Sequence, residues 1–252
     1  MSALVTGGGT GIGAAVARRL ASEGHRVCVA GRRREPLETV AEEIGGLAVV
    51  ADSADEGDVA RLVATTVEEL GPLEALVCNA GVSAGGTVLE QTLERWNHVL
   101  STNLTGAFLA CRTALPHLLE TRGAIVTISS LGGLRAAPAS AAYGASKAGL
   151  ILLTQCIAVD HGPGGVRANC VCPGWIRTPM ADATMDGLGG GREAAYARVN
   201  DTNPLRRPGL PEEVAATVAW LVGPDAAYVN GAVISVDGGA GVLDAASLEL
   251  AR

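Results

Sequence analysis

Lysine is almost missing from this sequence of 252 residues. Only one of the 19 basic side chains is a lysine, and all the others are arginine. Aromatic residues are also scarce, at 3% of the chain, so a core drawn from its 48% hydrophobic residues has to be mainly aliphatic. The formal net charge of −7 argues against a general nucleic-acid binder or a protein of anionic membrane surfaces.

Long hydrophobic runs are absent as well, because none reaches the roughly 18–20 residues that span a bilayer. A glycine-rich motif begins at Gly7, which leaves no room before it for a signal peptide. The six cysteines form no Cys-x-x-Cys pair, and the four histidines are scattered. We therefore expect buried free thiols in a reducing cytoplasm, no metal site and no membrane association.

The single lysine, Lys147, follows Tyr143 at i+4 in an alanine-rich stretch that favours helix. This spacing places both side chains on one face of a helix. At about 4–5 Å an ammonium group favours a phenolate, and we expect it to lower the tyrosine pKa by roughly 2–3 units, towards the range that suits a general acid/base. Ser130 lies upstream, just after the strand-like run 125–128. For the pair alone, the alternative is a surface helix that carries a Tyr and a Lys by chance.

A glycine-rich turn follows the first predicted strand, residues 3–6. The motif Thr6-Gly7-x-x-x-Gly11-x-Gly13 then opens into a predicted helix, residues 14–22. Between a strand and a helix, such glycines let the backbone approach a pyrophosphate that rests on the helix N-terminus. The sequence therefore predicts a dinucleotide site at this turn.

The second predicted strand, residues 26–30, ends in Gly31 and three arginines. An NAD enzyme usually places a carboxylate here for the adenosine ribose hydroxyls. A guanidinium instead suits a 2′-phosphate, which favours NADP(H) over NAD(H), with Arg32 as the first contact and Arg33 as the second. The alternative is a solvated basic cluster at the start of a helix.

Further polar positions follow the next strands. Asp52 ends the third predicted strand, where its carboxylate would accept a hydrogen bond from an adenine amine or cap the helix that begins near Asp55. The fourth strand, residues 73–78, leads into the small residues 79–81, which suit a cofactor lying against the sheet. Asn103 lies inside a long predicted helix, residues 93–120, that we expect to bend near Gly106 and before Pro116. A buried Asn there finds hydrogen-bond partners, so it would either hold a water or a backbone carbonyl near Lys147 or merely lock a helix–helix contact.

Strands and helices alternate along the whole chain. This pattern predicts an α/β fold of the Rossmann type: a doubly wound parallel sheet of about seven strands, with helices on both faces. Residues 179–205 interrupt the alternation with several glycines and a short helical patch around Tyr196, and we interpret them as a mobile substrate lid. No linker or repeat divides the rest, so we expect one catalytic domain, residues 1–252.

These motifs together resemble the short-chain dehydrogenase/reductase family, over residues 3 to about 240. Its cofactor motif matches residues 6–13, its sheet-stabilising Asn-Ala-Gly matches residues 79–81, and its Pro-Gly segment beside the nicotinamide matches residues 173–178. Its four catalytic residues match Asn103, Ser130, Tyr143 and Lys147. The resemblance implies that Ser130 holds the substrate carbonyl, Tyr143 transfers the proton, Lys147 lowers the Tyr143 pKa and binds the nicotinamide ribose, and Asn103 supports a water relay.

Two sets of residues complete the predicted site. The cofactor set is Thr6, Gly7, Gly9, Thr10, Gly11, Ile12, Gly13, Gly31, Arg32, Arg33, Asp52, Ser53, Asn79, Ala80, Gly81, Tyr143, Lys147, Pro173, Gly174, Ile176 and Thr178. The substrate set, mainly apolar, is Ser83, Leu131, Leu134, Arg135, Trp175, Met180, Met185, Leu188 and Tyr196. Several members of the second set are equally suited to packing the lid itself.

The predicted activity is NADP(H)-dependent interconversion of a hydrophobic ketone and a secondary alcohol, with Tyr143 as general acid/base. One alternative is reduction of a 3-oxoacyl thioester on a carrier protein. Another is a nucleotide-binding sensor or scaffold without turnover, although such a protein would be expected to lose its proton-transfer group. The resemblance also implies a homotetramer or dimer that pairs through the Tyr143 helix and the last strand.

Overall fold

The computed structural model describes residues 1–244, and a parallel sheet of seven strands lies at its centre. The strands are β1 (Ser2–Thr6), β2 (Arg26–Gly31), β3 (Leu47–Val50), β4 (Leu73–Cys78), β5 (Ala124–Ile128), β6 (Arg167–Pro173) and β7 (Val233–Val236). Their order is β3-β2-β1-β4-β5-β6-β7, and each neighbouring pair is parallel. The predicted doubly wound sheet is confirmed.

Helices cover both faces of this sheet. They are α1 (Gly11–Ser22), α2 (Arg34–Ile44), α3 (Glu56–Leu70), α4 (Leu93–Leu100), α5 (Gly106–Thr121), α6 (Leu131–Leu134), α7 (Ala141–His161), α8 (Pro179–Gly187), α9 (Arg192–Asn200) and α10 (Pro211–Val222). One apolar core contains α1, α2 and α10, and the other contains α3, α5 and α7. Successive strand residues supply the two cores in turn: Ala3 and Val5 face the first, and Leu4 faces the second. Burial on both faces explains the nearly continuous aliphatic runs of the strands.

The strand order reverses between β1 and β4. In sheets of this kind, the carboxyl ends of the strands beside the reversal open a crevice in which ligands bind. Gly7 follows β1 and Asn79 follows β4, so both predicted cofactor segments begin at this crevice.

The segment predicted as one helix, residues 93–120, is divided in the structure. α4 ends at Leu100, a π-helical segment (Ser101–Thr105) follows, and α5 begins at Gly106 and continues through Pro116. The irregularity that was expected near Gly106 therefore falls on the π-helical segment, which carries Asn103. Such wide turns within α-helices are frequent at functional sites.

The region predicted as a lid consists mainly of two helices rather than an open loop. α8 and α9 enclose a small core of their own, in which Met185 is 0% and Tyr196 is 2% exposed. Residues 189–191, all glycines with positive φ, connect the two helices. These glycines form the connection between the two helices, and whether the segment moves as a lid stays a prediction.

The long helix α7 differs from two expectations. By length and composition it is apolar enough to cross a membrane. It nevertheless packs Leu150 and Ile157 into the core, as a buried helix of a globular domain does.

It also carries Cys156, which is exposed, whereas the other five cysteines are buried as expected. Cys170 and Cys172 share a face of β6, as their alternation predicted, and their thiols are hydrogen-bonded to each other.

The partly buried guanidinium of Arg167 closes the end of α10. It donates to the carbonyls of Leu221 (2.8 Å), Val222 (3.2 Å) and Gly223 (3.3 Å), which have no partner within the helix. We expect Arg167→Ala to lower the free energy of unfolding by about 2–3 kcal/mol, because these carbonyls lose a charged donor. Urea unfolding measures this loss. Arg18→Ala, which breaks only an exposed ion pair with Glu43, is the control and should cost less than about 1 kcal/mol. Equal losses in the two variants would contradict the assigned role.

Candidate active site

The glycine turn after β1 is tied to the loop after β4. The Asn79 side chain donates to the carbonyls of Thr6 and Gly7, each at 3.0 Å. The Thr6 hydroxyl accepts from the backbone N–H groups of Asn79 (3.1 Å) and Ala80 (3.2 Å). At Gly13 a Cβ would overlap the Gly7 carbonyl and the Asn79 amide, so only glycine fits. The cradle expected for a pyrophosphate is therefore formed by backbone at the start of α1.

The segment after β6 closes this cradle from the other side. A Cβ at Gly11 would lie 3.2 Å from the Thr178 side chain. Thr178 in turn caps α8, because its hydroxyl accepts from Ala181 N at 3.2 Å. A Cβ at Gly174 would lie 3.0 Å from Cα of Asp237, so a side chain there would crowd Asp237. The two predicted cofactor segments thus meet across the crevice, although they are far apart in sequence.

The basic cluster after β2 is exposed and reaches the glycine turn. Arg33 precedes α2 and donates to the Thr10 hydroxyl at 3.4 Å. Arg34 is paired with Glu38 on α2. Arg32 is exposed and takes part in no ion pair among residues 1–244. The guanidinium groups of Arg32 and Arg33 therefore remain available for an anionic ligand at this edge.

Asp52 does not cap α3, the alternative that the sequence left open for it. Asp55 is the cap, and its carboxylate accepts from Asp58 N at 2.8 Å. Asp52 Oδ1 instead accepts from Ala54 N at 3.0 Å, which shapes the turn after β3. The carbonyl of Ser53 packs against Gly106.

Ser130 and Tyr143 come together beside the crevice. Ser130 caps the short helix α6, where its hydroxyl accepts from Gly132 N at 3.1 Å. Tyr143 is near the start of α7 and forms a hydrogen bond with Ser130. Burial raises the pKa of the Tyr143 phenol above its usual value, and the hydrogen bond with Ser130 partly opposes this rise. A hydroxyl pair of this kind suits a carbonyl oxygen that must accept a proton.

Lys147 lies below the tyrosine and is only 4% exposed. Its Nζ is 5.7 Å from the centre of the Tyr143 ring and donates to the Ile128 carbonyl at 2.8 Å. Burial lowers the pKa of Lys147 to about 8. The lowered Tyr143 pKa expected from the sequence is not reproduced, because burial opposes the charged form of the phenol.

Asn103 is fully buried in the π-helical segment and faces the loop after β4. Its Oδ1 accepts from Val82 N at 2.8 Å, and its Nδ2 donates to the Val82 carbonyl at 2.9 Å. A Cβ at Gly81 would lie 3.4 Å from Asn103 Oδ1 and 3.5 Å from Lys147 Nζ. The amide and the ammonium group therefore border one small space beside the crevice.

The predicted substrate residues are distributed over several places. Leu134 and Arg135 line a cavity of about 520 Å³ between α6, α7 and residues 86–88. Trp175 lines a separate cavity of about 110 Å³ below the lid. Ser83, Met180 and Leu188 are exposed, and Leu131 is partly so. Met185 and Tyr196 pack inside the lid, the alternative role that the sequence allowed for them.

Two serines that contact the motif residues escape sequence reasoning. Ser129 donates to the Lys147 carbonyl at 2.8 Å, and Ser146 bonds both Asn103 and Tyr143. Their only signal in the sequence is their position next to Ser130 and Lys147. From the sequence alone, such a serine cannot be distinguished from one without a specific role, because its hydrogen-bond partners come from distant segments.

The fold and the site define a Rossmann-type oxidoreductase for nicotinamide cofactors. Residues 7–241 match the family profile described as enoyl-(acyl carrier protein) reductase. The chain is 37% identical to meso-2,3-butanediol dehydrogenase of Serratia marcescens, over 96% of this chain and 94% of that protein. It is 39% identical to a putative ketoacyl reductase of Streptomyces coelicolor, over 95% of this chain and 96% of that protein. The crystal structure of a variant of actinorhodin polyketide ketoreductase with NADPH superposes on this one with a TM-score of 0.92 and is 38% identical in sequence. The match covers 96% of this chain and 97% of that chain. The chain belongs to the short-chain dehydrogenase/reductase family.

Proposed function

We propose that this protein interconverts a hydrophobic ketone and a secondary alcohol with NADP(H). The observation that carries the proposal is the contact between Ser130 and Tyr143, with the Lys147 ammonium group beneath the ring and next to Gly81. The backbone cradle at residues 7–13 and the segment at 173–178 lie on opposite sides of the crevice, where a bound dinucleotide would contact both. When bound, the nicotinamide supplies or accepts the hydride.

The four catalytic side chains then divide the work of the reaction among them. Ser130 donates to the substrate oxygen and holds it for attack. Tyr143 gives its phenolic proton to that oxygen in reduction and removes it in oxidation. Lys147 favours the phenolate by its charge and binds the nicotinamide ribose. Asn103 and Lys147 border the space through which a water relay returns the proton to Tyr143.

The preference for NADP(H) rests on Arg32 and Arg33. Charge-assisted contacts from a guanidinium fit a 2′-phosphate, while this position offers no carboxylate for ribose hydroxyls. The structural relative that contains NADPH supports the same choice. NAD(H) remains a second, weaker cofactor in this proposal.

We expect Arg32→Ala to raise KM for NADPH by roughly 10–100-fold and to leave KM for NADH nearly unchanged, because only NADPH carries the 2′-phosphate. Steady-state kinetics with both cofactors measures the difference. Arg34→Ala is the matched control, since its guanidinium is already paired with Glu38. Equal effects on the two cofactors would count against Arg32 as the phosphate contact.

The function as a whole is tested by a substrate screen. Ketones and secondary alcohols of graded hydrophobic size are incubated with NADP(H) and NAD(H), and absorbance is followed at the nicotinamide band. Turnover of hydrophobic ketones with NADPH supports the proposal, and binding of NADPH with no turnover of any substrate contradicts it.

A second candidate is reduction of a 3-oxoacyl thioester. The similarity to a putative ketoacyl reductase and to a polyketide ketoreductase favours it. Comparing a free 3-oxoacyl thioester with the same acyl group on a carrier protein separates the two candidates. A much higher kcat/KM on the carrier would favour this second function.

Three further features belong to the proposal. We place the enzyme in a reducing cytoplasm because its six cysteines are free. Residues 1–252 would form one catalytic domain with 179–205 as its lid, although 245–252 lie outside the described residues. Leu152 and Val159 are 61% and 75% exposed along α7, and a second copy would cover them in a dimer or tetramer.

A further inference from the structure

Ser146 precedes Lys147 in α7, and its side chain is fully buried. Its hydroxyl contacts two groups from different parts of the site. The Oγ donates to the Tyr143 carbonyl at 2.7 Å, and it accepts from Asn103 Nδ2 at 3.0 Å. The hydroxyl therefore connects the helix of Tyr143 and Lys147 with the π-helical segment of Asn103.

The directions of these bonds follow from the number of available protons. A hydroxyl has one proton, and Ser146 gives it to a carbonyl, which can only accept. Asn103 must consequently donate to Ser146. Its other amide proton goes to the Val82 carbonyl, and its oxygen accepts from Val82 N. All polar groups of this buried amide are satisfied in one orientation, and a flipped amide would face Val82 and Ser146 with the wrong atoms.

The position of Asn103 matters because its oxygen and the Lys147 ammonium group border the same space at Gly81. Asn103 lies on a π-helical turn, and such turns are frequent at functional sites. Of the hydrogen bonds that Asn103 forms with the described residues, the one to Ser146 links it to α7. This hydroxyl therefore ties the amide directly to the helix that carries the ammonium group.

We propose that Ser146 is a positioning residue, which holds Asn103 at a fixed distance from Lys147 and so keeps the proton path to Tyr143 intact. Its side chain is fully buried, and its hydroxyl is already bonded to the Tyr143 carbonyl and to Asn103. In reduction, the proton that Tyr143 gives to the substrate oxygen is replaced from solvent by way of Lys147, and the proton count is restored. The inference rests on the proposed function, since it concerns the same proton transfer.

Ser146→Ala is expected to lower kcat for ketone reduction roughly tenfold, with KM for NADPH nearly unchanged. The solvent deuterium isotope effect on kcat should rise, because proton delivery becomes slower relative to hydride transfer. Ser146→Thr keeps the hydroxyl and should restore both quantities. If the hydroxyl acts through the amide, Asn103→Ala with Ser146→Ala should be no slower than Asn103→Ala alone.

Thr154→Val is the matched control. Thr154 is buried on the same helix, donates to the Leu150 carbonyl at 2.7 Å and contacts the Thr127 hydroxyl, but it has no bond to the site. This control should keep the wild-type kcat and isotope effect. Additive losses in the double variant, an unchanged isotope effect in Ser146→Ala, or an equal fall in Thr154→Val would each overturn the role of Ser146. A wild-type protein that binds NADPH and reduces no ketone would instead overturn the proposed function, and this inference with it.

Discussion

Tyr143→Phe is expected to reduce kcat by roughly 10²–10⁴-fold, while the affinity for NADPH stays nearly unchanged. The substitution removes only the phenolic oxygen, so the ring keeps its packing against Gly132. Without that oxygen, no group beside Ser130 can give a proton to the substrate oxygen or take it back. Turnover is measured by nicotinamide absorbance, and cofactor binding is measured by calorimetry.

Tyr228→Phe is a suitable control, because Tyr228 is fully exposed and remote from the described site. This variant should keep wild-type turnover. The comparison also tests the non-catalytic alternative: a sensor or scaffold would show no turnover to lose in either variant. Normal turnover of Tyr143→Phe would refute the assigned proton transfer.

Lys147→Met is expected to lower kcat/KM for alcohol oxidation by roughly 100-fold at neutral pH, because the methionine fills a similar space without charge. Burial lowers the pKa of Lys147 to about 8, so the group is mostly protonated at pH 7 and its charge favours the phenolate there. Burial alone raises the pKa of Tyr143. Without the ammonium group, the pH at which oxidation reaches half its maximum should therefore move upward.

Oxidation profiles of wild type and Lys147→Met across neutral and alkaline pH measure this shift. The sign follows from the chemistry: oxidation needs the phenolate, so its rate rises with pH, whereas reduction consumes a proton and is favoured at neutral or lower pH. Lys147→Arg keeps the charge on a planar, larger group and should also be impaired, since Nζ lies close to Gly81 and the Ile128 carbonyl. A profile of Lys147→Met that coincides with wild type would remove Lys147 from the proton path.

The sequence predicted the fold well because its local signals agree with one another. The aliphatic run at residues 73–78 predicted β4 with its observed ends. The interruption of residues 93–120 was less well predicted, since nothing local distinguishes the π-helical segment from regular helix. Of the two lid helices, the helical patch expected around Tyr196 corresponds to α9, whereas α8 was not expected. The glycines at 189–191 indicate flexibility in sequence, and the small core that holds α8 and α9 together is visible only in the structure.

By itself, the sequence determined the parallel sheet of about seven strands and the glycine turn. It also picked out Ser130, Tyr143 and Lys147 as candidate catalytic residues, because each of these features depends on spacing along the chain. Only the tertiary structure decided how these groups act on one another. Burial changed the pKa of Tyr143 and Lys147 in opposite directions, and Ser146 acquired its partner Asn103 from a distant helix. Desolvation and long-range hydrogen bonds depend on what the folded chain places around a group, which spacing alone does not specify.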